Sequence, residues 1–381
     1  MIDSAFLASL NPAQQQKYRK FMTGHAAACV KNQQCADERL LALPHHRRIA
    51  LHDLMAHEAE LLEAVAPEVI AEAKRAGSTR HDIATTLRES YPLLARTVYL
   101  DRFDVLCDIA LRLMVHYGRI RTFQTTDALE QMLKETDFGG DVPAKWFEPP
   151  FPEVFIEFGE HRRFPVTIND PQSGEHIIEG VYVMSGLSRS KSDGELVRGF
   201  DLIIFGSPLG KSAPLDDCFI HMGLPIEDEE KPIAEVVQNV VAFYASQDEF
   251  PNNHAFQPVI EHVAKVLVYL GTKDARQRAV KEGSDAKRRI DGLKSPAKRE
   301  KALRQAARLY DRIVVGPAEL PDDLASGHGS GGVRPHMRRG HFRAQACGPQ
   351  HSLRRPVWIQ PTLVGKDRMT GAVAHPAYVI L

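Results

Sequence analysis

The sequence has 381 residues, and its 48 Lys or Arg against 49 Asp or Glu give a net charge of −1. A hydrophobic content of 43% and a charged content of 25% are typical of a soluble globular protein, and the length favours two or three domains. No stretch reaches the roughly 20 apolar residues of a membrane span, and the N-terminus lacks the basic start and apolar run of a secretory signal. The five cysteines are an odd number without a C-x-x-C spacing, which predicts free thiols and a location in a reducing cytoplasm.

Residues 1–140 are predicted to form an N-terminal helical region. Pro67 favours the first turn of one helix, residues 79–90 are expected to form another, and Thr126 is placed to cap a helix that reaches Lys134. Histidines are frequent here, but His52 and His57 miss the i, i+4 spacing of a helical zinc pair. We therefore expect no metal site and no other cofactor.

Residues 146–271 show the period-two pattern of strands, which are predicted over 153–158, 161–168, 176–184, 196–205 and 217–222. Short polar turns join them, which indicates an antiparallel sheet. Two apolar helices, over 231–244 and 258–270, are expected to cover one face of this sheet. The predicted fold class is therefore α+β, with an N-terminal helical region, a central antiparallel sheet packed by helices, a basic helical insert and a small C-terminal strand region.

The segment from Gly206 to Ser212 resembles a phosphate-binding loop after a strand. That motif needs four residues between its two glycines and a helix after it. Here three residues separate Gly206 from Gly210, and a further strand follows. We interpret the segment as the loop of a β-hairpin.

Residues 272–312 are predicted to be a charged helical insert or linker, and residues 313–381 a basic C-terminal region with strands at 313–317 and 377–381. Residues 273–355 contain 20 Lys or Arg and 9 Asp or Glu, so the remainder of the chain is acidic. This asymmetry favours an anionic partner such as RNA or a ribosome surface. Two alternatives are that the insert is only a solvated helical hairpin, and that the acidic and basic parts neutralise each other across an internal interface.

The densest group of chemically active side chains begins with Arg334-Pro-His-Met-Arg-Arg-Gly-His-Phe-Arg343 and continues with Arg354-Arg-Pro-Val-Trp358. Arginine offers a fork of donors that fits phosphate or carboxylate, and histidine titrates near neutrality. The candidate binding residues are Arg334, His336, Arg338, Arg339, His341, Phe342, Arg343, Arg354, Arg355 and Trp358. Alternatively, Arg338, Arg339 and Arg343 pair with carboxylates elsewhere in the fold, and Trp358 belongs to the core of a strand.

The motif R-P-H-x-R-R-G-H over 334–341, followed by Val-Trp-Ile-Gln-Pro-Thr-Leu-Val over 357–364, resembles the C-terminal signature of a type V-A anti-CRISPR family. Segments at 152–158, 180–183, 199–205 and 231–237 are similar to segments of that family in the same order, so the resemblance extends from about Trp146 to the C-terminus. Members of the family carry Trp after the second histidine, where this chain has Phe342. The motif also occurs in other mobile-element proteins, so alone it indicates a domain.

The resemblance implies an inhibitor that recognises the nascent N-terminal segment of the type V-A effector nuclease and lowers its protein and mRNA. The implied partners are the nascent effector polypeptide and, through the basic C-terminal third, the ribosome or mRNA, without a membrane. An exposed sheet edge is one way to bind an extended peptide.

Two alternatives come from the side chains themselves. In the first, His336 and His341 form a general acid–base pair for metal-independent RNA cleavage, with arginines stabilising the phosphorane. In the second, the protein is a nucleic-acid-binding module of a mobile element, with no need of a protein partner.

Overall fold

The computed structural model of the protein describes residues 4–20, 23, 43–50, 53–75, 77–92, 103–170, 174–190, 193–209, 218–246, 253–306, 308–321 and 336–364. Arg334, the Gly/Ser-rich segment 326–332 and the strand predicted at 377–381 lie outside these residues.

The helices in these ranges include α1 Ser4–Ser9, α2 His45–Ala50, α3 Asp53–Val65, α4 Pro67–Lys74, α5 Arg80–Ser90, α6 Phe103–His116, α7 Asp127–Lys134, α8 Ile233–Ala245, α9 Asn253–Leu270, α10 Glu282–Asp291 and α11 Pro296–Ala306. The strands are β1 Arg121–Thr125, β2 Thr136–Phe138, β3 Glu153–Glu157, β4 Thr167–Asp170, β5 Gly174–Arg189, β6 Leu196–Pro208, β7 Cys218–Pro225, β8 Gln277–Lys281, β9 Asp311–Val315, β10 His336–Arg338, β11 Gly340–Cys347, β12 Leu353–Ile359 and β13 Thr362–Val364. The α+β fold class is confirmed.

The chain divides into two compact units, each built from three separate segments. Unit 1 comprises Met1–Gln124, Pro149–Glu227 and Ala279–Ile313. Unit 2 comprises Thr125–Glu148, Asp228–Arg278 and Val314–Leu381.

The large sheet has the strand order β7-β6-β5-β3-β1-β9-β8, with β4 paired to β5. Strands β3, β5, β6 and β7 pair antiparallel, as predicted. Strand β1 joins β3 in parallel, so the sheet is mixed. This pairing was not predicted, because a parallel partner is reached through a long crossover and leaves no hairpin turn in the sequence.

The core of unit 1 lies where the middle of the sheet meets the N-terminal helices. Phe155, Tyr182 and Ile203 are neighbours in register on three adjacent strands, and each is at most 1% exposed. They pack in one cluster with apolar residues of α3 to α6. Val183 and Leu202 on the opposite face are buried as well, so both faces of these strands are covered.

Two helices of unit 1, α4 and α5, begin at residues that favour a helix start. Pro67 occupies the first turn of α4, where its missing N–H has no helical partner to lose. Thr79 caps α5 by accepting a hydrogen bond from the backbone of Asp82, and the Asp82 side chain accepts one from the backbone of Thr79 in return.

Unit 2 contains two small sheets beside α7, α8 and α9. The Thr126 side chain caps α7 by accepting from the Leu129 backbone at 3.2 Å, as predicted. One sheet has the order β12-β11-β2, and the other pairs β10 with β13. Helices α8 and α9 correspond to the two predicted apolar helices, although α9 begins five residues before Pro258.

The charged segment after residue 272 contains β8, the helices α10 and α11, and the start of β9. Its helical part was predicted. Strand β8 was not, since none of its side chains is buried and it lacks an alternating apolar pattern.

Candidate functional site

The C-terminal signature forms strands β10 and β11, and β12 pairs with β11 in antiparallel register. His336 begins β10, whereas His341 lies on β11, which belongs to the other small sheet. The two histidines therefore lie on strands that do not pair with each other. None of the described contacts favours them as a general acid–base pair.

Gly340 stands where two chain segments approach closely. A Cβ atom at this position would lie 2.7 Å from Thr136 Oγ1, 2.8 Å from Pro361 Cδ and 2.9 Å from the Ile359 carbonyl oxygen. Its backbone N–H donates to the Glu135 carbonyl at 2.8 Å. The glycine of the signature therefore has a packing role, because a larger residue would separate β11 from β2.

One face of the β11–β12 pair is packed inward. Phe342 is fully buried and stacks on the partly buried Trp358 with 5.9 Å between ring centroids. The Trp358 Nε1–H donates to Thr136 Oγ1 at 3.2 Å, and the ring meets Tyr269 of α9 edge-on at 5.2 Å. Two aromatic residues of the signature thus anchor the small sheet to α9, which favours the core role considered for Trp358.

The opposite face of the same pair is basic. Arg343 lies opposite Val357, and Arg355 lies opposite Gln345, so the two arginines are diagonal neighbours on one face. His341, opposite Ile359, continues that face. Both arginines are exposed, and His341 is half-buried. Within the residues that the structure describes, neither arginine has a carboxylate partner.

The remaining cations of the signature differ in their partners. Arg339 pairs with Asp137 at 3.1 Å, but both side chains are more than half exposed, so the pair contributes little to stability. Arg354 donates to the His351 carbonyl at 3.0 Å. Arg338 is exposed, with no ion pair in the described ranges. Among the described residues, therefore, Arg339 has the carboxylate partner that this alternative expects, and Arg338 and Arg343 do not.

Strand β12 is an outer strand of its sheet, but its middle is poorly suited to strand addition. The Ala344 N–H donates to Asp141 at 2.9 Å, on the side of β11 away from β12. In an antiparallel ladder, the residue opposite it, Pro356, then directs its backbone nitrogen outward. A proline there removes one donor from the free edge.

A second cluster, not recognised in the sequence, surrounds Asp201 in unit 1. His221 Nε2 lies 2.9 Å from one carboxylate oxygen, and Arg80 lies 3.4 Å from the other, which His81 also contacts. Burial alone would raise the pKa of Asp201, but the hydrogen bonds of His221 and His81 and the charge of Arg80 hold it well below the ordinary value. The hydrogen bond with Asp201 raises the pKa of His81 to about 9.

Cys107 lies beside this cluster, with its Sγ 3.7 Å from His81 Nδ1. A thiol, an imidazole and a carboxylate in a row are the elements of a cysteine nucleophile. Here the thiol is only 2% exposed, so a substrate has no access to it. The cluster is therefore structural. No sequence signal points to it, since its members lie on α5, α6, β6 and β7.

A cavity of about 1010 Å³, which we call the unit 1 cavity, lies among α10, α11, β9 and the residues around β1. Its lining includes the cations Arg47, Arg121, Lys281 and Lys287 and several aliphatic side chains. No sequence pattern points to this cavity, because its walls come from four separate parts of the chain.

Cys107, Cys218 and Cys347 are free thiols, as predicted, while Cys29 and Cys35 lie outside the described ranges. Among the helices of those ranges, none combines the length and apolarity needed to span a bilayer. No group of three or more His, Cys, Asp or Glu side chains in the same residues is arranged to hold a metal ion.

The fold and the site define an α+β protein whose C-terminal sheet is anchored by aromatic residues on one face and basic on the other. The family model of the AcrVA2-like proteins, described as the anti-CRISPR type V subtype A2 family, matches residues 123–366. The chain belongs to this family, and the resemblance to a type V-A anti-CRISPR family is confirmed.

A solved structure titled "Crystal structure of AcrVA2" has a similar fold, with a TM-score of 0.50 at 13% sequence identity. The similarity covers 85% of this chain and 100% of that chain. No curated protein matches the sequence significantly.

Proposed function

We propose that this anti-CRISPR protein recognises the N-terminal segment of a type V-A effector nuclease during translation and lowers the effector protein and its mRNA. The observation that carries the proposal is the family match over residues 123–366. Recognition of a nascent chain places the protein in the cytoplasm of the bacterial host, where translation occurs.

The basic face of β11–β12 is the surface that we assign to RNA of the ribosome or the message. Arg343 and Arg355 are exposed and without carboxylate partners in the described part of the chain, so their charge is available to phosphates. Arg338 and Arg354 are exposed cations of the same two small sheets. His341 adds a donor at the edge of this face.

Phe342 and Trp358 have a different role in this proposal. Since Phe342 is fully buried and Trp358 is held by Thr136 and Tyr269, they position the strands that present the arginines. Arg334 and the side chain of His336 lie outside the residues whose contacts are described, and we keep them as candidate binding residues.

The order of expression tests this proposal. In bacteria with a type V-A system and a targeted plasmid, one culture receives the protein before effector synthesis starts, and another after the effector has accumulated and its synthesis has been stopped. An inhibitor of biogenesis protects the plasmid only in the first culture. Equal protection in both cultures would mean that the protein acts on the finished nuclease.

A further inference from the structure

The unit 1 cavity lies between two parts of unit 1. One side is the hairpin of α10 and α11, and the other is formed by β9 and the residues from Val115 to Thr122. Its volume of about 1010 Å³ is at the upper end of the range for small-molecule sites. A cavity of this size accommodates several side chains of a polypeptide.

The cavity is lined by more cations than carboxylates. Its two acidic residues are already engaged, because Asp291 faces Arg299 at 3.6 Å and Asp311 accepts from the Ser284 N–H at 2.9 Å. Lys287 is exposed and has no ion pair or hydrogen bond among the described residues. An occupant with a carboxylate would therefore find cations free to pair with it.

Apolar side chains line the same cavity and stay accessible. Leu303 of α11 is 53% exposed, and Phe151 is 39% exposed with the Arg121 guanidinium 5.8 Å above its ring. None of the side chains of α11 is buried. The helix thus presents Leu303 to a space that has an aliphatic floor, which includes Ile290 and Leu309.

We infer that the unit 1 cavity is a docking site for a polypeptide segment in which bulky apolar side chains lie next to an acidic residue. The inference rests on the proposed function and identifies its peptide-binding site, which is separate in the sequence from the C-terminal signature. The apolar side chains of the segment cover Leu303 and Phe151, and its carboxylate pairs with Lys287 or a neighbouring cation.

The lining favours a peptide over RNA. Single-stranded RNA is bound by aromatic rings on which bases stack, along a track of cations. In this cavity the apolar surface is mainly aliphatic. Leucine and isoleucine pack against the apolar side chains of peptides but offer no stacking surface to a base.

Two variants and two matched controls test the inference in the full-length protein. Lys287→Glu reverses a cavity cation, and Lys298→Glu makes the same change at an exposed residue of the hairpin outside the cavity. Leu303→Ser removes an exposed apolar cavity side chain, and Leu196→Ser removes one on β6 that is similarly exposed, at 61%. All four changes are on the surface, so we expect unchanged thermal unfolding midpoints.

The probe is a fluorescently labelled synthetic peptide of the first 30 residues of a type V-A effector, followed by fluorescence anisotropy. Each cavity variant is expected to weaken binding about tenfold or more, and each control to stay within about twofold of the wild type. The inference is overturned if the cavity variants bind the peptide as the wild type does. It is also overturned if they lose affinity for a single-stranded RNA oligonucleotide and not for the peptide.

Plasmid protection separates this inference from the proposed function. If the wild type blocks biogenesis and binds the peptide while the cavity variants bind it equally well, the proposed function holds and the site lies elsewhere. If the wild type does not bind the peptide at all, both the proposed function and the site are contradicted.

Discussion

Gly340 shows how one residue of the signature acts through packing. Replacing it by alanine places a Cβ within 3.0 Å of Thr136 Oγ1, Pro361 and the Ile359 carbonyl, of which the carbonyl cannot rotate away. We expect Gly340→Ala to lower the free energy of unfolding by about 2 kcal/mol. Gly186→Ala on β5 is the matched control, since its Cβ would meet nothing within 4 Å. Denaturant unfolding measures both, and equal stability of the two variants would contradict the packing role.

Asp201 is the carboxylate that compensates the buried charge of Arg80. Asp201→Asn leaves the guanidinium of Arg80, which is 1% exposed, without its carboxylate. We expect a loss of about 3 kcal/mol in the free energy of unfolding. Glu195→Gln, at an exposed residue, is expected to change it by less than about 0.5 kcal/mol. A neutral effect of Asp201→Asn in urea titration would show that the cluster is not structural.

We predict that two histidines of unit 1 make the free energy of unfolding depend on pH in opposite directions. The pKa of His81 is raised to about 9 by its hydrogen bond with Asp201, so its contribution is complete below pH 6.5 and is lost as pH rises towards 9. Burial lowers the pKa of His46 to about 3, so its contribution is complete above pH 6.5 and is lost as pH falls towards 3.

The measurement is the unfolding free energy between pH 4 and 9.5. We expect a maximum near pH 6 to 7, and a shallower decline on the alkaline side in His81→Gln. An alkaline limb identical to that of the wild type would contradict the raised pKa of His81.

At the scale of elements, local signals were enough for the helices. Thr126 before α7, Pro67 in α4 and the apolar pattern of α8 gave the positions of these elements to within a few residues. Strands β1 and β8 were not predicted, because each pairs with a segment that is distant in the sequence. The residues around them contain no signal of this pairing. The two faces of β11–β12 follow from alternation along the strands, but only the observed register shows that Arg343 and Arg355 share a face.

Charge reversal on the basic face of β11–β12 is predicted to weaken RNA binding. Arg343→Glu combined with Arg355→Glu is expected to weaken binding of a single-stranded RNA oligonucleotide and to reduce the dependence of log affinity on log salt by about one unit per lost contact. Stability should change by less than about 0.5 kcal/mol, because both side chains are exposed. Lys273→Glu, at an exposed residue outside this face, is the control. An unchanged dependence of log affinity on log salt would contradict the assignment of RNA binding to this face.

At the scale of the molecule, the basic third of the sequence does not belong to one unit. The α10–α11 hairpin is part of unit 1, and the C-terminal signature is part of unit 2. Each unit is assembled from three segments, so charge along the chain does not predict which charges share a surface. The family resemblance could be recognised from the signature, whereas the unit 1 cavity and the Asp201 cluster required the fold.

We propose that inhibition by this protein is directed by the nascent peptide and not by the message. The most direct measurement fuses the first few dozen codons of a type V-A effector to a fluorescent protein and expresses the fusion with and without this protein. A frameshifted version encodes a different peptide from almost the same nucleotides. We predict that reporter protein and mRNA fall only when the true peptide is encoded. An equal fall with both versions, or no fall with either, would contradict the claim.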